Sequence, residues 1–213
     1  MENSINAEHI INEFKKRPQT IFKLFGDLNL LKAITNVSQN ENRFIFGCSG
    51  ECFIVNALEE IYPNVRHSLI DSGTSSVIFD AKIGNVKISI KLSSSTDPND
   101  IVFKNFQSNN KNSHIEDNII FIYANIANNK IYIFPYEAVK SNVKITDTQI
   151  TLKYKCLENE EMQKYKITVE YTDNQEKIIN HIKQNTKVDN HYKKIANEVS
   201  SKFDEICKSF ADL

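Results

Sequence analysis

Asp80, Ser89 and Lys91 are the residues of this chain whose types and spacing point most directly to chemistry. They flank Gly84-Asn85 in the stretch Ser76 to Ser93, where apolar residues alternate on both sides of the pair. That pattern predicts a β-hairpin with a two-residue turn. With Gly84 and Asn85 in the turn, Ile83 faces Val86 and Asp80 falls opposite Ser89. Side chains alternate faces with period two, so Asp80, Ser89 and Lys91 share one face. Phe79, Ala81, Ile83, Ile88 and Ile90 take the other. A carboxylate, a hydroxyl and an ammonium on one sheet face are the raw material of metal-dependent phosphodiester hydrolysis. The plain alternative is an exposed cross-strand polar cluster contributing under about 1 kcal/mol.

Glu51 is the next candidate. The sequence predicts a helix from about Glu51 to Tyr62, closed by Pro63 and Asn64. On a helical wheel Ile54, Val55, Leu58 and Tyr62 fall within about 60° of Glu51, which places this carboxylate on the inward stripe. A charge facing the core is costly unless a cation or hydrogen bonds compensate it. As the residue opening the helix it would instead be a dipole-favoured, partly solvated acid.

The order Gly50-Glu51, then Asp80, then Ser89-Ile90-Lys91 resembles the PD-(D/E)xK superfamily of restriction-endonuclease-like nucleases, over roughly residues 47–140. In that family a helix glutamate precedes an aspartate on one strand, and an acidic-x-lysine triplet follows on the next. The resemblance matches Glu51, Asp80 and Lys91 to these positions. It implies an α/β fold with a central mixed sheet flanked by helices. It also implies Mg²⁺ as cofactor and double-stranded DNA as substrate, with a type II restriction endonuclease the leading expectation. Asp80, Glu51 and a backbone carbonyl near Ile90 would hold the ion, which polarises phosphate and lowers the pKa of water. Lys91 would orient the attacking water or stabilise charge on phosphorus, and Ser89 would act through a water.

Ser89 departs from the family pattern by standing where a second acid is usual, and residue 79 is Phe where the motif often has Pro. Some members carry Ser-x-Lys and recruit an acid from a nearby helix. Glu51 is the first candidate for that role, with Asp97 and Asp100 behind it. A shifted register using Asp71 with Asp80-Ala81-Lys82 ranks lower. Double-strand cleavage implies a homodimer, with a cognate methyltransferase as a possible companion. The rival expectations are a nuclease toxin or structure-specific nuclease, and a catalytically inactive binding or immunity protein on the same fold.

The elements that must position these residues are read from periodicity. Residues 6–37 predict short amphipathic helices with breaks near Pro18 and Gly26, followed by a polar loop at 38–42. Arg66 to Ile70 reads as a strand or bridging segment, Ile101 to Phe106 as a short helix, and 107–117 as a polar, flexible stretch. Asn118–Asn125 and Lys130–Tyr136 predict strands, and Glu137–Ser141 a helical turn. Thr148–Cys156 and Lys164–Tyr171 predict a second hairpin carrying Lys153, Lys155, Lys164 and Lys166. Two tail helices follow, over about 174–184 and 190–210.

At 213 residues, with 40% hydrophobic and 25% charged residues, the chain reads as one domain with an ordinary core. A net charge of −1 excludes a basic nucleic-acid coat but not a local basic face. No apolar run approaches the ~18 residues of a membrane span, and no signal peptide is read, so a cytoplasmic protein is expected. Cys48 and Cys52 lack a second short-spaced ligand pair, so reduced structural thiols are expected. His67, His114, His181 and His191 show no ligand spacing and read as surface or loop residues. Ser49 and Ser72 lack a nucleophile-elbow context.

Overall fold

The computed structural model describes residues 5–35, 40–67, 79–104, 118–146, 149–185 and 195–211. Helix α1 (Ala7–Lys15) starts where Asn6 accepts the His9 amide at 2.8 Å and buries Ala7, Ile10, Ile11 and Phe14 at helical spacing. Helix α2 (Pro18–Thr35) opens on a proline, whose fixed φ and missing N–H suit a first helical position. Helix α3 (Asn40–Glu59) follows.

A six-stranded sheet is built from β1 (Val65–His67), β2 (Ala81–Ile83), β3 (Val86–Ser93), β5 (Ile119–Asn125), β6 (Lys130–Pro135) and β9 (Lys166–Thr168), in that spatial order. β3 and β5 pair in parallel, and the other neighbours are antiparallel. The sheet is therefore mixed, with helices against it. A second, three-stranded sheet orders β4 (Asp100–Lys104), β8 (Gln149–Lys153) and β7 (Val143–Ile145). A single turn α4 (Tyr154–Leu157) and two long helices, α5 (Asp173–Asn185) and α6 (Ile195–Ala211), complete the described chain.

Alternation divides the main sheet. α3 packs on β1 and β3, and α1 on β6. The opposite face meets the small sheet, where the Phe103 ring lies 4.5 Å from Phe121. β5 is buried along its whole length, as expected of a strand covered on both faces. α6 docks on α2, with the buried Phe203 ring over Gly26 and beside Phe22.

Several expectations are corrected. α2 runs unbroken through Gly26, because the missing side chain there makes room for Phe203. α3 begins at Asn40, so Gly50 and Glu51 lie mid-helix, and 40–42 is helical. Residues 100–104 form strand β4, with Ile101 and Phe103 buried and Asp100 exposed, because β8 supplies a pairing edge. The second hairpin does not form: β8 joins β4 and β7, whereas β9 joins β6 in the main sheet. The 107–117 stretch, residues 68–70 and 76–78, Asp71, Ser72, His114 and His191 lie outside the described residues.

Candidate active site

The hairpin forms with the expected register. Ile83 pairs with Val86 and Ala81 with Ile88, and Gly84 supplies the turn at φ +58°, a conformation glycine adopts without steric cost. β2 begins only at Ala81, whereas β3 runs on to Ser93. Residues of β3 direct their backbone groups to alternate sides. Lys87 donates to Asn118 O at 3.1 Å on the β5 side, while Ile88 O accepts the Asp80 amide at 2.8 Å on the β2 side. Ile90 shares the side of Ile88, where β2 is no longer paired.

Asp80 closes this gap. Its Oδ2 accepts the Ile90 amide at 2.6 Å and the Ser89 hydroxyl at 3.4 Å. A carboxylate thus replaces a backbone carbonyl in the ladder, which fixes its direction. Strand geometry aims the Ile90 carbonyl toward the same gap. Ser89 is buried, and Asp80 and Lys91 are partly buried.

Gly50 brings α3 to this place. A Cβ at that position would stand 2.6 Å from Leu92 Cδ2 and 3.2 Å from Leu28 Cδ2. The close approach seats Glu51, one residue on, beside the strand that carries Lys91. Burial and the charge of Asp80 raise the Glu51 carboxyl to about 8, against the opposing pull of Lys91. Burial also raises Asp80, opposed by the Ile90 amide, the Ser89 hydroxyl and Lys91. Glu51, Asp80 and Lys91 therefore lie within one another's fields, as two acids with one ammonium. The mid-helix position of Glu51 removes the helix-dipole explanation of it.

The other acids are elsewhere. Asp100 pairs with Lys153 at 2.7 Å, and Asp97 is exposed, its amide bonded to Ser95 Oγ. Lys91 is the ammonium whose charge opposes the rise of Asp80, and Asp71, on which the shifted register depends, lies outside the described residues.

Three residues were missed as neighbours of this site. Cys48 is raised to about 11 by burial, then by Glu51, Cys52 and Asp80. Cys52 is raised by burial and by Glu51, and its Sγ lies 3.9 Å from His67 Nε2. His67 is 5% exposed, so it is a core residue and not a surface one. Thiols raised in this way are poor nucleophiles. The i, i+3, i+4 spacing of Cys48, Glu51 and Cys52 was the available signal that they share a helix face. His181 is exposed and stacks edge-on with Phe210, in accord with the surface expectation.

Comparison with protein-family models, with curated proteins and with solved structures returned no match. No described helix is long and apolar enough to cross a membrane. What the site can do therefore rests on its own residues.

Proposed function

We propose that this protein is a Mg²⁺-dependent endonuclease hydrolysing DNA phosphodiester bonds, of the restriction-endonuclease-like kind. The observation that carries the reading is the convergence of Glu51, Asp80 and Lys91 at the point where β2 leaves β3. They come from three separate segments, and two partly buried acids near one ammonium supply oxygen donors whose charge exceeds that of Lys91 once Glu51 gives up its proton, which suits a divalent cation.

The donor set fits Mg²⁺. No group of three or more His, Cys, Asp or Glu side chains placed for a metal occurs among the described residues. Mg²⁺ needs fewer protein ligands, since it keeps several waters and commonly binds through one or two carboxylates plus substrate phosphate. Asp80, Glu51 and the Ile90 carbonyl are hard oxygen donors that would hold it. When bound, the ion offsets phosphate charge and makes water more acidic.

The chain's own residues do the rest. The Ile90 amide holds the Asp80 carboxylate in place. Glu51 retains a proton below about pH 8 and gives it up when a cation binds, since ligands must be deprotonated. Lys91 stabilises the charge that develops on the phosphoryl oxygens. Ser89 steadies Asp80 through its hydroxyl.

A second reading has one observation in its favour: Ser89 occupies the position of an acid, and Asp80 spends Oδ2 on a backbone amide. A binding protein on the same fold would share both features. Incubation with mixed-sequence viral DNA, in Mg²⁺ and in chelator, separates the two. Mg²⁺-dependent fragments support the nuclease, and intact DNA bound in both samples supports the binder.

A further inference from the structure

One row of the hairpin face carries positive charge across three strands. Arg66 pairs with Lys82, and Lys82 with Lys87, in the registers of β1 with β2 and β2 with β3. Their neighbours Val65, His67, Ala81, Ile83 and Ile88 are buried on the opposite face, so the three cations share one face by alternation. Asp80 and Ser89 lie one rung further along this same face, and Lys91 lies beyond them.

Like charges directly opposite one another destabilise a sheet. The Lys82–Lys87 pair is an unfavourable placement of that kind. The Lys87 amide bonds to Asn118 on the β5 side, so this is a non-hydrogen-bonded pair, in which side chains stand closest. Lys87 is held over the Phe79 ring at 5.5 Å. Arg66 is exposed, Lys82 is half-buried, and neither makes an ion pair among the described residues. Both line a cleft of about 400 Å³ with Asn64 and Gly84. Two lysines of the predicted second hairpin are ion-paired instead. Lys153 pairs with Asp100 at 2.7 Å and Lys164 with Glu8 at 2.8 Å.

We propose that the row Arg66–Lys82–Lys87 binds the phosphodiester backbone of duplex DNA and leads it to Asp80 and Lys91. This inference rests on the nuclease reading for its substrate, but it is carried by the register and the charge. Strands lie about 4.8 Å apart, so the row spans about 10 Å. That is about three nucleotide steps at ~3.4 Å of helix axis each. A bound polyanion converts the cross-strand repulsion into attraction.

The test is fluorescence anisotropy of a ~20-bp duplex over a salt series in chelator, where cleavage cannot occur. It compares wild type, Arg66→Ala/Lys82→Thr and Lys153→Ala/Lys164→Ala. The first double variant is expected to bind at least about tenfold more weakly near 0.1 M salt. Its slope of log K against log salt should shrink by about 1.8, at ~0.9 for each phosphate that is no longer neutralised. Its melting midpoint should match or exceed that of wild type, because the repulsion is relieved. The second double variant should keep the wild-type slope. An unchanged slope in Arg66→Ala/Lys82→Thr overturns the proposal, as does a wild type that fails to bind duplex DNA. Cleavage in Mg²⁺ is scored separately. Cleavage with an unchanged slope removes the row and leaves the nuclease standing; a reduced slope without cleavage does the reverse.

Discussion

The Ile90 amide donates to Asp80 Oδ2 at 2.6 Å, so an acid side chain takes over the β-ladder where the hairpin opens. The two halves of this bond can be separated by mutation. Asp80→Asn keeps an acceptor for Ile90 and should fold normally, with cleavage reduced about 10²–10³-fold. Asp80→Ala removes the acceptor as well and should lose about 1–3 kcal/mol of stability besides. Urea melts and single-turnover cleavage of both variants check this. Equal stability for the two would show that the bond contributes nothing.

Glu51→Gln should stabilise the protein near neutral pH by about 1–3 kcal/mol while lowering cleavage. Folded Glu51 titrates near 8, against 4.5 as its ordinary value. Between those pH values the folded state holds a proton that the unfolded state has lost, so this residue makes stability fall as pH rises through the window. Melting curves from pH 4 to 9 should show that decline in wild type and a flatter profile in Glu51→Gln. Mg²⁺ should stabilise wild type more than the variant at the alkaline end.

Glu158 has the opposite sign. Burial alone would raise it, but bonds from Tyr132, Tyr154 and Lys130 outweigh that and hold it at about 2. Its contribution is fully present above about 4.5 and is lost as pH falls toward 2. Glu158→Gln should melt lower than wild type at pH 7, with the gap closing by pH 2 to 3. A gap independent of pH would contradict the assignment.

The α2–α6 contact is a packing prediction. A Cβ at Gly26 would stand 2.1 Å from Phe203 Cζ, and that ring is buried. Phe203→Ala should cost about 3–5 kcal/mol. Gly26→Ala should also destabilise by displacing the ring, but should cost less in the Phe203→Ala background, where nothing remains to clash. Additive losses in that double-mutant cycle would show that the two residues do not interact.

What was legible in the sequence was local. Gly84-Asn85 between alternating strands reported the hairpin, and from it the Asp80–Ser89 rung, because a two-residue turn leaves one register. The periodicity of Val199, Phe203 and Ile206 reported the last helix, whose residues are buried as the stripe requires. Gly26 read as a break and Gly50 as the residue just before a helix, although the structure uses both, inside helices, as points of close approach to Phe203 and Leu92. That purpose depends on partners far along the chain. The same holds for β4 and β8, whose pairing joins residues about fifty positions apart. The Ile90–Asp80 bond was hidden because it depends on where β2 leaves the sheet. The surroundings of Glu51 were half visible: its inward face followed from the wheel, but Cys52 meeting His67 did not.

The most direct test of the central claim is cleavage of a mixed-sequence DNA by wild type, Asp80→Asn and Lys91→Ala, each shown to be folded, in Mg²⁺ and in chelator. Wild type should give Mg²⁺-dependent products, with both variants slower by at least about 100-fold. Full activity in either folded variant, or wild-type cleavage unaffected by the chelator, would contradict the account.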